Sequence, residues 1–136
     1  MHHVLDIDPA AAAPIWRQIE DGMRRLVASG NLAAGAVVPS VRELAKALRV
    51  NPATVSKAYR RLTDAGLLTV RRGEGTFVAE LPSTVLNELR RRLLADSAAA
   101  YVGVATSVGA DRDEAVWAVE ESWKTGAKSG EGAHDE

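Results

Sequence analysis

A mainly helical α+β fold is predicted for this 136-residue chain by three observations. Two short helical patterns joined by a tight turn lie between Val41 and Gly66. Two strand-like runs then flank Gly73-Glu74-Gly75. Two further helical patterns come after Pro82. Helix, turn, helix and hairpin in that order describe an N-terminal winged helix-turn-helix, here with a short two-helix C-terminal appendage. The expected boundaries are 1–80 for the winged domain, 81–125 for the helical appendage and 126–136 for a disordered tail.

The first helix is expected from Pro14 to Gly30, because Trp16, Ile19, Met23, Leu26 and Val27 recur at helical spacing. It should pack on the two central helices and complete a trihelical core, with Trp16 as a core residue. Leu32 and Val37-Val38 can add a short strand or turn. Ser40 followed three residues later by Glu43 is a capping box, which satisfies two N–H groups at a helix start. Val41, Leu44, Ala45 and Leu48 give that helix one apolar face, and it should stop near Arg49-Val50. Asn51 as N-cap and Pro52 in the first helical position open the next helix. Val55, Ala58, Tyr59 and Leu62 form its buried face, and Gly66 ends it.

The opposite face of that helix carries Ala53, Thr54, Ser56, Lys57, Arg60 and Arg61. Its first turn is small and polar, so nothing bulky or acidic keeps it from a major groove. A basic helix face alone is most often just solvated. The hairpin pattern directly after it strengthens the case for DNA. Strands over 67–72 and 76–79 enclose Gly73 and Gly75, which permit a tight turn. Arg71 and Arg72 sit at its tip, beside glycines that allow close approach to a minor groove.

Long, ordered motifs here resemble the GntR family of bacterial transcription regulators. The matching residues include Pro14-Ile15-Trp16, Gln18-Ile19, Ser29-Gly30-Asn31-Leu32, Gly35, Pro39 to Ala45, Val50 to Val55, Ala58-Tyr59, Gly66-Leu67-Leu68 and Arg72 to Val78. They span roughly residues 4–80, and the short remainder resembles the YtrA subfamily. The resemblance implies DNA contact by Arg42, by Asn51 to Thr54 with Ser56 and Lys57, and by Arg72 and Gly73. With the neighbouring candidates of the motif, the expected DNA-binding set is Ser40, Arg42, Arg49, Asn51, Pro52, Ala53, Thr54, Ser56, Lys57, Arg60, Arg71, Arg72, Gly73, Gly75 and Thr76. Three positions depart from the family: Val38 for leucine, Arg49 for glycine and Trp16 for tyrosine. Arg49 adds charge at the turn. The resemblance also implies a homodimer, repression as the usual mode and transporter operons as the usual targets, and it admits a small-molecule effector of unknown identity.

Charge is distributed to match. The whole chain carries −1, yet residues 39–78 hold eight Lys/Arg against three acidic residues, a net +5. Residues 81–136 hold six against ten, a net −4. A basic module with an acidic appendage is the footprint of phosphate contact.

After Pro82, Ser83 is a candidate N-cap. Leu86, Leu89, Leu93, Ala100 and Val104 fall on a repeat near 3.5 residues, and Gly109 ends that helix. Asp111 and Glu114 open another, carrying Val116, Trp117, Val119 and Trp123. These helices cannot bury their apolar faces alone, so a two-fold dimer lined by Val85, Leu86, Leu89, Leu93 and Trp117 is expected. Such a dimer calls for an inverted-repeat duplex operator. An effector pocket against the winged domain, walled by Tyr101, Trp117 and Trp123, is the less favoured role of these aromatics.

Other classes fare worse. There is no cysteine, and the three histidines lie near the ends, so common nucleophile–base pairs and metal clusters are missing. No enzyme activity, metal or cofactor is expected. A protein-interaction module that does not bind DNA is the alternative, but such modules usually lose the basic face. RNA binding lacks a stacking platform, since Tyr59 and Phe77 both belong to buried patterns. No run of 18 apolar residues and no signal-peptide region is visible, so no membrane partner is expected and a cytoplasmic setting is the simplest inference.

Overall fold

The computed structural model describes residues 5–134, with side chains described for 5–126. In chain order it contains α1 (Ile15–Ser29), α2 (Val41–Leu48), α3 (Pro52–Asp64), β1 (Leu68–Arg71), β2 (Gly75–Val78), α4 (Ser83–Ser107) and α5 (Arg112–His134). The chain divides into two compact units, Met1–Leu93 and Leu94–Glu136.

The first unit is a trihelical core with a β-wing. Gly30 at φ 82° ends α1. The capping box of α2 is complete: Glu43 N–H donates to Ser40 Oγ at 3.1 Å, and Ser40 N–H donates to Glu43 Oε1 at 3.3 Å. Asn51 caps α3 by accepting from Ala53 N–H at 2.9 Å, with Pro52 in the first position. Gly66 at φ 81° closes α3, and Leu67 N–H donates back to Leu62 O at 2.9 Å.

The expected faces are the buried ones. Ile19, Met23, Leu26 and Val27 of α1 meet Leu44 and Ala45 of α2 and Val55, Ala58, Tyr59 and Leu62 of α3. Ile19, Met23, Leu44, Val55, Leu62 and Val78 are fully buried, and each contributes about 1.5–3 kcal/mol through apolar burial. Tyr59 solves its polar end by donating from its hydroxyl to Pro39 O at 2.7 Å. Burial, and then the charge of Glu43, push its phenol well above the ordinary value.

β1 and β2 pair antiparallel, with Leu68 opposite Val78 and Arg71 opposite Gly75. Val37 bridges to Phe77, and Val38 N–H donates to Thr76 O at 2.9 Å, so the 37–38 segment pads the two-stranded wing through an isolated bridge. Ahead of α1, Gln18 ties down the N-terminal arm: it accepts from Asp8 N–H at 2.8 Å and donates to Asp8 O at 2.9 Å.

The start of α4 also belongs to this unit. Leu81, Leu86 and Leu89 are half-buried against the winged core. The seam repeat places Leu86 and Leu89 on a dimer face, and part of their apolar surface is already covered within their own chain. The physical reason is that the seam begins only a few residues after the wing, next to an apolar core that it can cover.

In the second unit, α4 ends before Gly109 at φ 80°, and Asp111 caps α5 by accepting from Glu114 N–H at 2.9 Å. Ala105 is buried, and Tyr101 donates from its hydroxyl to Ala115 O at 2.7 Å. Most other large apolar residues here stay exposed: Leu94, Val102, Val104, Val108, Val116, Trp117, Val119 and Trp123. The backbone of α5 continues to His134. The tail expected over 126–136 falls almost wholly outside the residues whose side chains are described.

Candidate nucleic-acid interface

The α3 helix presents its basic side because its other side is committed to the core. Asn51, Pro52, Ala53, Lys57 and Arg60 are exposed, and Thr54 and Ser56 are half-buried. Arg42 on α2 and Arg49 in the turn are exposed as well. Among the described residues, Arg42, Arg49, Arg60 and Arg72 enter no ion pair. Their charge is therefore uncompensated within the fold, which is what phosphate contact requires.

Arg49 has an unusual backbone. It sits at φ 58° and ψ 48°, the one described non-glycine residue with positive φ. It is the C-cap of α2, and the left-handed conformation turns the chain into α3 while holding a cation at the turn.

Two candidates have a second duty. The side-chain oxygens of Ser40 and Asn51 are engaged in helix caps. Their caps set where α2 and α3 begin, so these residues shape the interface even where they do not touch DNA.

At the wing tip, Glu74 N–H donates to Arg71 O at 2.9 Å, and Gly73 and Gly75 take φ of 77° and 125°. Arg71 lies over the Phe77 ring at 4.2 Å, whereas Arg72 extends from the tip without a partner among the described residues. Thr76 is half-buried where its carbonyl receives Val38.

Sequence reasoning missed one cluster. Trp16 is half-buried beside the core, with the Lys57 ammonium 4.3 Å and the Arg61 guanidinium 4.9 Å from its ring. Arg61 Nε donates to Glu20 Oε2 at 2.8 Å, and Arg24 donates to Glu20 Oε1 at 2.9 Å. Arg61, placed on the outward face by periodicity, is thus tied back to α1. Glu20 is buried, with 4% of its surface exposed. Burial pushes its carboxyl up, but the hydrogen bonds and the positive charges of Arg61 and Arg24 together outweigh this and hold it below the ordinary value. The available signal was the run of basic residues on α3 spaced to meet an acid on α1, which no single-helix pattern displays.

In the second unit, Tyr101, Ala118, Val119, Ser122, Trp123 and Gly126 line an open cleft of about 710 Å³. Tyr101 and Trp123 are among its walls. Trp117 is not, and the cleft lies between α4 and α5. Among the described residues no group of three or more His, Asp or Glu is placed to hold a metal ion. No described helix is long and apolar enough to cross a membrane.

A winged helix-turn-helix with unpaired basic residues on its two helices, turn and wing defines a class, the DNA-binding transcription regulators. Known proteins of similar sequence and structure give the family. Residues 16–78 match the description "Bacterial regulatory proteins, gntR family". The chain is 42% identical over 85 residues to the HTH-type transcriptional repressor YtrA of Bacillus subtilis, covering 62% of this chain and 65% of that relative. It is 33% identical over 112 residues to the HTH-type transcriptional regulator Rv1152 of Mycobacterium tuberculosis, covering 82% of this chain and 88% of the relative. A solved GntR family transcriptional regulator from Listeria monocytogenes superposes with a TM-score of 0.74 at 25% identity, over 85% of this chain and 98% of that one. The chain belongs to the GntR family and is YtrA-like. The family and these relatives are transcription regulators rather than enzymes.

Proposed function

We propose that this protein is a sequence-specific repressor that binds an inverted-repeat operator as a homodimer. The observation that carries the reading is the uncompensated basic surface of Arg42, Arg49, Arg60 and Arg72 on the turn, helices and wing. The α3 N-terminus enters the major groove, where Ala53, Thr54 and Lys57 meet base edges. Arg42 and Arg60 hold phosphates. The wing places Arg72 against the minor groove, with Gly73 allowing close approach. Repression is supported by the repressor YtrA among the relatives, and a transporter operon remains the target class its subfamily resemblance implies.

Assembly is supported by the second unit. Trp117 is 60% and Trp123 78% exposed, and Val102, Val104, Val116 and Val119 lie open with them. An exposed apolar surface of this kind marks a binding site. A second copy of the chain covers it and supplies the second recognition helix. Within this unit the dimer face therefore rests on Trp117, Trp123 and the valines.

The test is selection of bound duplex from a random pool, and then titration of the selected duplex at several salt concentrations. An inverted repeat with half-sites about 10 base pairs or a multiple apart supports the reading. Recovery of no preferred sequence overturns it.

A further inference from the structure

The ring of Trp16 carries two cations of α3, and the two are not equivalent. Arg61 is neutralised by Glu20 at 2.8 Å, and Glu20 is shared with Arg24 at 2.9 Å. Lys57, 4.3 Å from the same ring, has no carboxylate partner among the described residues. Lys57 and Arg61 stand four residues apart on one helix, where like charges repel. The first turn of α1, where Trp16 sits, contains no acidic residue and its dipole disfavours cations. The arrangement thus persists because the ring attracts both cations and Glu20 offsets one of them.

A ring differs from a carboxylate in one respect that matters here. A carboxylate holds a lysine by cancelling its charge, which removes it from phosphate chemistry. An aromatic face attracts the ammonium through its quadrupole and leaves the full charge in place. Lysine otherwise loses much rotamer freedom when it is fixed against DNA. A side chain already restrained loses less on binding.

We infer that Trp16 is a positioning residue of the DNA interface: its indole restrains Lys57 on the exposed face of α3 without neutralising it, and the Glu20–Arg61 pair anchors that ring contact to the core. The inference rests on the proposed contact of α3 with DNA. Trp16 acts through Lys57 and need not touch DNA itself.

A double-mutant cycle tests it, using the full chain and the duplex it selects from a random pool. The variants are Trp16→Leu, Lys57→Ala and the pair, each checked by thermal melting. Trp16→Leu should weaken binding about two- to fivefold, and this loss should vanish in the Lys57→Ala background. Trp16→Tyr should retain most of the affinity and Trp16→Phe less. The Phe variant preserves the packing and keeps the cycle available if the Leu variant does not fold. An equal loss in both Lys57 backgrounds overturns the inference, because Trp16 then acts only through the fold. No loss from Trp16→Leu or Trp16→Phe, with the parent binding normally, also overturns it while leaving DNA binding intact. A parent that binds no duplex overturns the DNA reading and this inference together.

Discussion

Arg49 holds a left-handed backbone at φ 58°, a conformation that non-glycine residues adopt at a cost of about 1–2 kcal/mol. Its guanidinium makes no ion pair among the described residues. Arg49→Gly should therefore raise stability by up to about 1 kcal/mol in denaturant titration and lower affinity for duplex DNA. A variant that is both less stable and equally tight would contradict this. Glu20 gives a second prediction at the same scale. Its carboxyl titrates below the ordinary value of 4.5 in the folded state. The stabilisation is complete above the unfolded value and is lost as pH falls through the folded one. Denaturation midpoints of the parent should drop on acidification through this window. Glu20→Gln should be less stable at neutral pH and show a shallower acid slope. Equal slopes would mean that the Arg24 and Arg61 bonds do not bind the charged form more tightly.

At the scale of the element, the caps and buried faces were legible because they are local. Ser40 with Glu43, Asn51 with Pro52, and Gly66 each act on residues a few positions away, so spacing alone locates α2 and α3. What was illegible depends on contacts between distant residues. Glu20 meets Arg61 across 41 positions, and no helix pattern states which basic residue turns back. Leu86 and Leu89 fall on the seam repeat, yet pack on the winged core, because periodicity names a buried face without naming what buries it. Leu89→Glu should accordingly lower the melting temperature of the winged domain itself. The wing divides in a way that its sequence also concealed. Arg71 is stacked on Phe77 at 4.2 Å and Arg72 extends free of it. Arg72→Ala should weaken selected and random duplex alike and reduce the salt slope by about one. Arg71→Ala should in addition loosen the wing. Identical salt slopes for Arg72→Ala and the parent would leave the tip without a phosphate contact.

For the whole molecule, the proposed function assigns DNA contact to the first unit and assembly to the second. One recognition helix reads only a few base pairs, so selectivity depends on a second copy. Trp117→Glu places a charge on the exposed apolar surface of α5. A charge buried there without a partner is costly. Sedimentation should show a dimer for the parent and a monomer for the variant, with its winged domain still melting cooperatively. A parent that is monomeric at micromolar concentration with DNA present would assign that surface to another partner. DNA contact through the face of α2 and α3 underlies all of this, and fluorescence-anisotropy titration probes it without intermediaries. The selected duplex is titrated with the parent, Arg42→Ala and Lys57→Ala. The parent should bind in a salt-dependent way. Each variant should stay folded and lose affinity, by about 1–3 kcal/mol where the side chain reads a base. Both variants binding as tightly as the parent would contradict DNA contact through this face.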